Sequence, residues 1–274
     1  MRVATILKPG TSQERVIPFI DEVDVDPELS HSLDAILVFG GDGTIHRHLH
    51  ELYDLNVPVL VVPTGSGNDF ASSLGIHNPK DALQIWRRFL REGATRTIDL
   101  GSALDSHGTT HLFCNVANFG LDSDINRRAN KLPAFLRANG GYVLSLFPSL
   151  LRYSAPVVRL TIDGHATFRP ITLAAAANGS RYGRGLKIAP RANMSDGLLD
   201  LCLVRETSRL KIAAIFPIVY FGRHLKLREV QYLKFRTMHI ETPMEMDIYA
   251  DGEFLCKTPA TIAVMPGAVR VIAP

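Results

Sequence analysis

Several features that would point to a particular cellular setting are scarce in this sequence. It has three cysteines, Cys114, Cys202 and Cys256, in 274 residues. They are far apart, odd in number and form no CxxC pair, which excludes a disulfide framework and the common zinc spacings. They read as reduced core thiols of a cytoplasmic protein. No run approaches the ~18 apolar residues of a membrane span. The longest candidate, Ile212 to Gly222, is too short and contains Pro217. The opening Met1-Arg2-Val3-Ala4-Thr5-Ile6-Leu7 lacks a long apolar core and a cleavage site, so it reads as a strand rather than a signal peptide. The net charge is only +3, too mild to argue for a nucleic-acid partner but compatible with an anionic membrane surface or substrate. What remains is ordinary globular composition, 46% hydrophobic and 21% charged, in a chain long enough for two domains.

The first hundred residues alternate short apolar runs with turn signals. Val3 to Leu7, Ala35 to Phe39 and Val57 to Val62 read as strands, the last two apolar enough to be buried on both faces of a parallel sheet. Ile45 to Leu52 and Asp81 to Arg91 read as helices, the second capped by Asp81 and stopped by Gly93. Alternating strands and helices predict an α/β domain over residues 1–103. Beyond Ile98-Asp99-Leu100 the texture changes. Residues 111–118, 156–164, 168–178, 198–204, 232–241, 245–250 and 261–273 read as strands between Gly, Pro, Asp and Asn turns. Arg127 to Tyr153 and Arg209 to Phe221 read as helical interruptions. A β-rich second domain over residues 104–274 follows, whose extreme C-terminus could pack back on the first.

Two loops carry the chemistry. Gly40-Gly41-Asp42-Gly43-Thr44 follows one buried strand and opens a helix. Its glycines remove the Cβ atoms that would hold a phosphate away from the backbone, and the helix points its positive end at the same place. Asp42 inside such a turn repels phosphate unless a divalent cation lies between them, so Asp–Mg²⁺–phosphate is one reading; a plain Gly-Asp-Gly turn is the other. Pro63-Thr64-Gly65-Ser66-Gly67-Asn68-Asp69-Phe70 follows the neighbouring strand with the same ingredients. Ligands of open α/β sheets bind at that carboxyl edge, and two such loops on adjacent strands point to a nucleotide. Asp69 alone reads as a helix cap. Asp251-Gly252 is a tight-turn signal that would hold Glu253 at a strand tip, either as an exposed hairpin residue or as a base.

Together Gly-Gly-Asp-Gly-Thr and Gly-Ser-Gly-Asn-Asp-Phe-Ala resemble the diacylglycerol kinase catalytic-domain family, which includes bacterial lipid kinases and sphingosine kinases. The resemblance continues, in order, through Thr97-Ile98-Asp99-Leu100-Gly101, Asn115 to Asp122, Ala177-Asn178-Gly179, Ser195-Asp196-Gly197-Leu198-Leu199-Asp200 and Ala250-Asp251-Gly252-Glu253. It implies an N-terminal α/β domain like that of NAD kinase and phosphofructokinase, a C-terminal β-sandwich, and an active site in the cleft between them. It implies an ATP-dependent kinase acting on a hydroxyl of a diacylglycerol-like or sphingoid lipid. Gly40, Gly41, Asp42, Gly43, Thr44, Ile45, His46 and Arg47, with Thr64, Gly65, Ser66 and Asn68, are then expected to hold ATP. Glu253, Asp99 and Asp42 are expected to be catalytic, Glu253 as proton acceptor. The side chain of Asp196 and the carbonyls of Asn193 and Leu198 are expected to hold a structural Mg²⁺.

The chain departs from the family pattern in two places. His46-Arg47 stands where Asn-Glu is usual. About 30 residues separate the first strand from Gly40, too few for two βα crossovers of roughly 30 residues each, so a helix and a strand are expected to be shortened or absent. Arg127, Arg128, Lys131, Phe135, Arg137, Tyr142, Leu144, Phe147, Leu151 and Arg152 mix bases with bulky apolar groups, as an interfacial element would and as an ordinary amphipathic helix does. A peripheral, membrane-surface kinase, with a homodimer as a further expectation, stands against two alternatives. One is a non-catalytic nucleotide- or lipid-binding protein on the same fold. The other is an NAD kinase, against which Gly-Asn-Asp-Phe-Ala and Asp251-Gly252-Glu253 argue.

Overall fold

The structure is a computed structural model, and it describes residues 1–133, 136 and 141–274. The apolar runs of the first hundred residues become parallel strands. β1 (Arg2–Leu7), β2 (Asp24–Asp26), β3 (Ala35–Gly40) and β4 (Val59–Pro63) lie in the order β2-β1-β3-β4, every pair parallel. Every residue of β3 and β4 is buried, which explains why they are apolar throughout rather than alternating. The short approach to Gly40 is resolved by shortening rather than loss. α1 (Gln13–Ile20) has 8 residues and β2 has 3. The small helix is held from outside: Trp86 Nε1 donates to the Phe19 carbonyl at 2.7 Å, and the Phe19 ring meets Phe39 edge-on.

α2 (Asp42–Leu55), α3 (Asp69–Ser73) and α4 (Pro79–Glu92) complete this half. α4 starts earlier than its expected cap. Asn78 is the N-cap, accepting from Lys80 and Asp81 N–H, and Pro79 fills the first helical position, where a missing N–H costs nothing. Asp81 reaches back to accept from His77 N–H, one residue before the cap, at 3.1 Å. Gly93 closes the helix at φ 64° as expected.

The second half is a sandwich. β5 (Arg96–Asp105), β6 (Thr110–Phe113), β8 (Val157–Ile162), β12 (Thr237–Glu241) and β15 (Ala260–Val271) form one layer. β7 (Val116–Gly120), β10 (Leu199–Arg205), β11 (Val230–Phe235), β13 (Asp247–Ala250) and β14 (Glu253–Lys257) form the other. β9 (His165–Ala177) joins them: its first half pairs with β8, its second with β7 and β10. The layers enclose Phe113, Phe119, Leu160, Leu201, Phe235 and Ile240. Four consecutive alanines let β9 be buried on both sides: Ala174 and Ala176 face this core, and Ala175 and Ala177 face a second one under α7 (Arg209–Val219). Two expected strands are split. Residues 111–118 break at Cys114-Asn115, and residues 232–241 break where the N–H groups of Arg236 and Thr237 turn to the Asp163 carboxylate. The expected helix Arg127–Tyr153 is α5 (Leu121–Asn130) and α6 (Gly141–Arg152). β15 leaves the sandwich to end in the parallel sheet, where Val271 pairs with Val59 and Ile272 N–H donates to its carbonyl at 2.9 Å. β5 runs along β15 for most of its length. The carboxyl edge of β3 and β4, the β6–β7 turn and the β13–β14 hairpin therefore open on one cleft.

Candidate functional site

The two glycine loops touch through their backbones. Thr64 N–H donates to the Gly40 carbonyl at 3.0 Å and Asp42 N–H to the Gly67 carbonyl at 3.1 Å. A Cβ on Gly41 would stand 2.2 Å from the Gly67 carbonyl oxygen, and one on Gly65 would stand 2.5 Å from Gly41 Cα. The glycines are required for this contact as well as for any phosphate. Asn68 braces the second loop, accepting from Gly65 N–H and donating to the Gly65 carbonyl.

Asp42 belongs to the first turn of α2 but serves α3. Its Oδ2 accepts from Asp69 N–H at 3.1 Å and its Oδ1 from Phe70 N–H at 2.9 Å. Burial, reinforced by the Asp69 charge, still pushes its carboxyl up to about 7. Asp69 is 5% exposed and is not the cap expected of it. It is the first residue of α3, its carboxyl is raised chiefly by burial, and its Oδ2 accepts from Arg184 N–H at 2.7 Å.

The opposite wall is set by Asp251. This residue holds φ 54°, and Gly252 after it φ 91°. Its fully buried carboxylate accepts from the N–H groups of Cys114, Asn115 and Val116 at 2.8, 2.9 and 3.1 Å. His46 Nδ1 lies 3.4 Å from its Oδ2. Burial alone would raise the Asp251 carboxyl, but His46 and these N–H groups outweigh it and hold it below the ordinary range. For His46 the order is similar: burial lowers it, and Asp251 with Glu253 raises it overall. The hairpin so fixed presents Glu253 exposed, its Oε1 3.9 Å from the Cβ position of Gly43.

The cleft has a volume of about 370 Å³ and is lined by Gly41, Asp42, Gly43, Thr44, Arg47, Gly65 and Ser66 on one side, and by Asn115, Arg184 and Asp251 on the other. Of the expected nucleotide residues, Ile45 and His46 lie elsewhere. Ile45 is 2% exposed in the core with its N–H on the Gly41 carbonyl, and His46 is turned to Asp251. Gly40 and Thr64 are tied to each other behind the loops. Asp99 is not brought to the cleft. Its Oδ1 accepts from Gly267 N–H at 2.8 Å and its Oδ2 from Gly197 N–H at 2.7 Å, and its carbonyl accepts from Asn178. As placed, it ties three segments together. Lys8, Asp69, Asn115 and Arg184 line the cleft without having been singled out for it. Only Asp69 and Lys8 carry a local signal, each ending a strand or loop at the carboxyl edge.

The expected Mg²⁺ loop lies behind Asp99. Asp196 Oδ1 accepts from Leu198 N–H at 3.1 Å, and its Oδ2 pairs with Lys234 Nζ. Asn193 Oδ1 accepts from Ser195 N–H. Among the described residues no group of three or more acidic, histidine or cysteine side chains is arranged to hold a metal ion by itself. Beside Asp196, however, Asp200 is fully buried and neither of its carboxylate oxygens makes a well-formed hydrogen bond. Burial raises its carboxyl, against the weaker opposing pull of the Tyr232 hydroxyl. An all-oxygen set with an under-satisfied anion fits a hard cation.

Comparison with known proteins agrees with this geometry. Residues 7–103 match the diacylglycerol kinase catalytic domain, and residues 115–273 match the YegS C-terminal NAD kinase beta sandwich-like domain. The chain is 38% identical over 244 residues to a diacylglycerol kinase of Mycobacterium tuberculosis (strain ATCC 25618 / H37Rv), covering 88% of this chain and 77% of that one. Its fold is that of a diacylglycerol kinase from Bacillus anthracis str. Sterne (TM-score 0.69, 19% identity, covering 100% and 97% of the two chains). It is also that of an NAD kinase from Archaeoglobus fulgidus in complex with ATP (TM-score 0.60, 17% identity, covering 99% and 93%). With both halves matched in order and the cleft between them built from the matched loops, the chain belongs to the diacylglycerol kinase catalytic-domain family of kinases.

Proposed function

We propose that this chain transfers the terminal phosphoryl group of ATP to a hydroxyl of a diacylglycerol-like or sphingoid lipid at a membrane surface. The observation that carries this is the exposed Glu253 carboxylate standing over Gly43 of the glycine cradle. A lipid hydroxyl is a weak nucleophile, and a carboxylate placed beside the phosphate site can take its proton as the new P–O bond forms. The bond to the bridging oxygen breaks in the same displacement, ADP leaves, and the remaining task is alignment and charge neutralisation. The backbone of Gly41 to Thr44 and Ser66 would hold the phosphates. Asp42, raised in part by its neighbour Asp69, would face Mg²⁺ carried with the nucleotide. A Mg²⁺ neutralises phosphate charge when bound. Asn193, Asp196 and Leu198, with Asp200 behind them, would hold a second, structural ion.

An apolar pocket adjoins the cleft and shares Tyr182 with it. It has a volume of about 60 Å³ and is lined by Leu121, Ile125, Leu146, Ile215 and Phe216, apolar walls with room for only a few methylene groups. Outside it, Leu144, Phe147 and Leu151 lie exposed along α6 at helical spacing, and Arg209, next to the exposed Leu210, donates to the Leu151 carbonyl. This supports contact with a membrane surface. Arg127 and Arg128 contribute less charge there than their number suggests, because both pair with Asp124. Phe135 and Arg137 lie outside the described residues, as do the side chains of Tyr142 and Arg152. No helix among the described residues is long and apolar enough to cross a membrane.

The test is phosphoryl transfer from labelled ATP in mixed micelles across diacylglycerol, phosphatidylglycerol, ceramide and sphingoid bases, with Glu253→Gln alongside. Transfer to at least one lipid is expected, and Glu253→Gln should reduce it by roughly 10²–10⁴-fold at unchanged ATP affinity. Measurable ATP binding without transfer to any lipid would instead support the non-catalytic reading.

A further inference from the structure

The segment Tyr182-Gly183-Arg184-Gly185-Leu186 is a tight turn closed by reciprocal backbone hydrogen bonds between Tyr182 and Leu186, 3.0 and 2.9 Å long. Its three central residues all hold positive φ: 57° at Gly183, 70° at Arg184 and 100° at Gly185. Crowding does not select the two glycines. A Cβ on Gly185 would meet nothing within 4 Å, and one on Gly183 would meet only the Leu186 side chain at 3.5 Å. Backbone conformation selects them, because glycine enters this region freely and other residues do not. Arginine at the middle position is therefore costly. A residue kept in a disfavoured conformation, when the best-suited residue stands on either side of it, suggests that its side chain is needed.

The turn is fastened across the cleft. Arg184 N–H donates to Asp69 Oδ2 at 2.7 Å, and Gly185 N–H supports the same carboxylate. Asp69 N–H in turn donates to Asp42. The backbone of Arg184 is thus fixed, through two links, to the glycine cradle. Arg184 lines the cleft with Gly41, Gly43 and Ser66, and its positive charge is close enough to Asp69 to lower that carboxyl. Among the described residues lining the cleft the cations are Lys8, Arg47 and Arg184. The first two come from the half of the chain that carries the cradle, and Arg184 comes from the other.

We infer that Arg184 is a catalytic cation supplied within the chain by the sandwich half, neutralising the oxygens of the phosphoryl group as it leaves the cradle for the acceptor hydroxyl. The inference rests on the kinase reading above. A planar guanidinium suits the equatorial oxygens of a phosphoryl group in transit, and charge supplied there acts on the transition state more than on bound nucleotide.

Arg184→Gly separates this role from a structural one. Glycine relieves the backbone, so Tm should stay at or above wild type. kcat should fall by on the order of 10³-fold while KM for ATP changes less than about tenfold, and Arg184→Lys should fall between. Independently of any lipid, ADP with aluminium fluoride should bind the glycine variant at least roughly tenfold more weakly than wild type, with ADP alone unchanged. Wild-type kcat in the glycine variant, a lowered Tm, or equal loss for ADP with and without the fluoride complex would overturn the inference. Wild type that turns over no lipid, with the fluoride difference intact, would count against the kinase reading and leave the cation site standing.

Discussion

Replacing Asp42 by asparagine should make the ligand-free protein more stable, and increasingly so as pH rises. Asp42 titrates at about 7 in the folded chain against about 3.9 unfolded. A group whose folded pKa is raised contributes stability that is present below its unfolded value and lost as pH climbs through its folded value. The wild-type contribution therefore drains away between about pH 4 and pH 7. From pH 5 to pH 8 the remaining part of the shift is roughly 2 units, or about 3 kcal/mol. The amide introduced by Asp42→Asn does not titrate. It keeps one carbonyl oxygen for Asp69 or Phe70 N–H and leaves the other donor unmatched, a loss of about 1–2 kcal/mol at every pH. Urea unfolding of both proteins in EDTA, without nucleotide, should give curves whose separation changes by about 3 kcal/mol in favour of the variant between pH 5 and pH 8. Taking the difference removes the titrating groups that do not sense the Asp42 charge. A separation independent of pH would refute the claim that Asp42 is an acid held out of its ordinary range by burial and Asp69. Mg²⁺ with ATP should reverse the sign at pH 8, because a cation beside the carboxylate compensates its buried charge.

Gly41→Ala places a methyl group 2.2 Å from the Gly67 carbonyl oxygen. It should cost about 3 kcal/mol and remove nucleotide binding, read by thermal unfolding and calorimetry. An alanine variant of wild-type stability would mean that the loops are not in backbone contact. Asp251→Asn leaves at least one of the Cys114, Asn115 and Val116 N–H groups facing an amide NH₂. It should cost roughly 3–5 kcal/mol, and the His46 imidazole, deprived of its partner, should titrate at lower pH by NMR. An unmoved His46 titration would detach it from the hairpin that carries Glu253.

The parallel sheet was legible because burial on both faces writes itself as continuous apolar runs, and Gly40 and Pro63 end those runs at the edge where ligands bind. α1 and β2 were less so: 8 and 3 residues leave too little periodicity, and α1 depends on Trp86, 67 positions from its Phe19 acceptor. The splits within residues 111–118 and 232–241 were hidden for a related reason. Each is made by a carboxylate remote in the chain, Asp251 for the first and Asp163 for the second, that draws backbone N–H groups out of the ladder. Nothing local to Cys114-Asn115 says that an anion will be buried there.

Asp99 and Asp69 show where reading by position stops. Asp99 was expected to be catalytic and Asp69 to be a helix cap. The rule that favours the carboxyl edge applies to strands of the parallel sheet. Asp99 stands fourth in β5, a strand antiparallel to β15, so the edge rule has no hold on it, and its oxygens go to Gly197 and Gly267. Asp69 lies beyond the end of β4, where the rule does hold, and it meets Asp42 on one side and the Arg184 turn on the other. A carboxylate that contacts both halves of the chain is positioned to report whether they are together. If the Arg184 turn swings away, Asp69 loses its N–H donors from Arg184 and Gly185 while remaining beside Asp42. The Asp69 carboxyl then rises further and takes up a proton more readily, so it repels Asp42 less and the charge of the cradle changes. The contact of the Arg184 turn and the protonation of Asp69 are therefore linked.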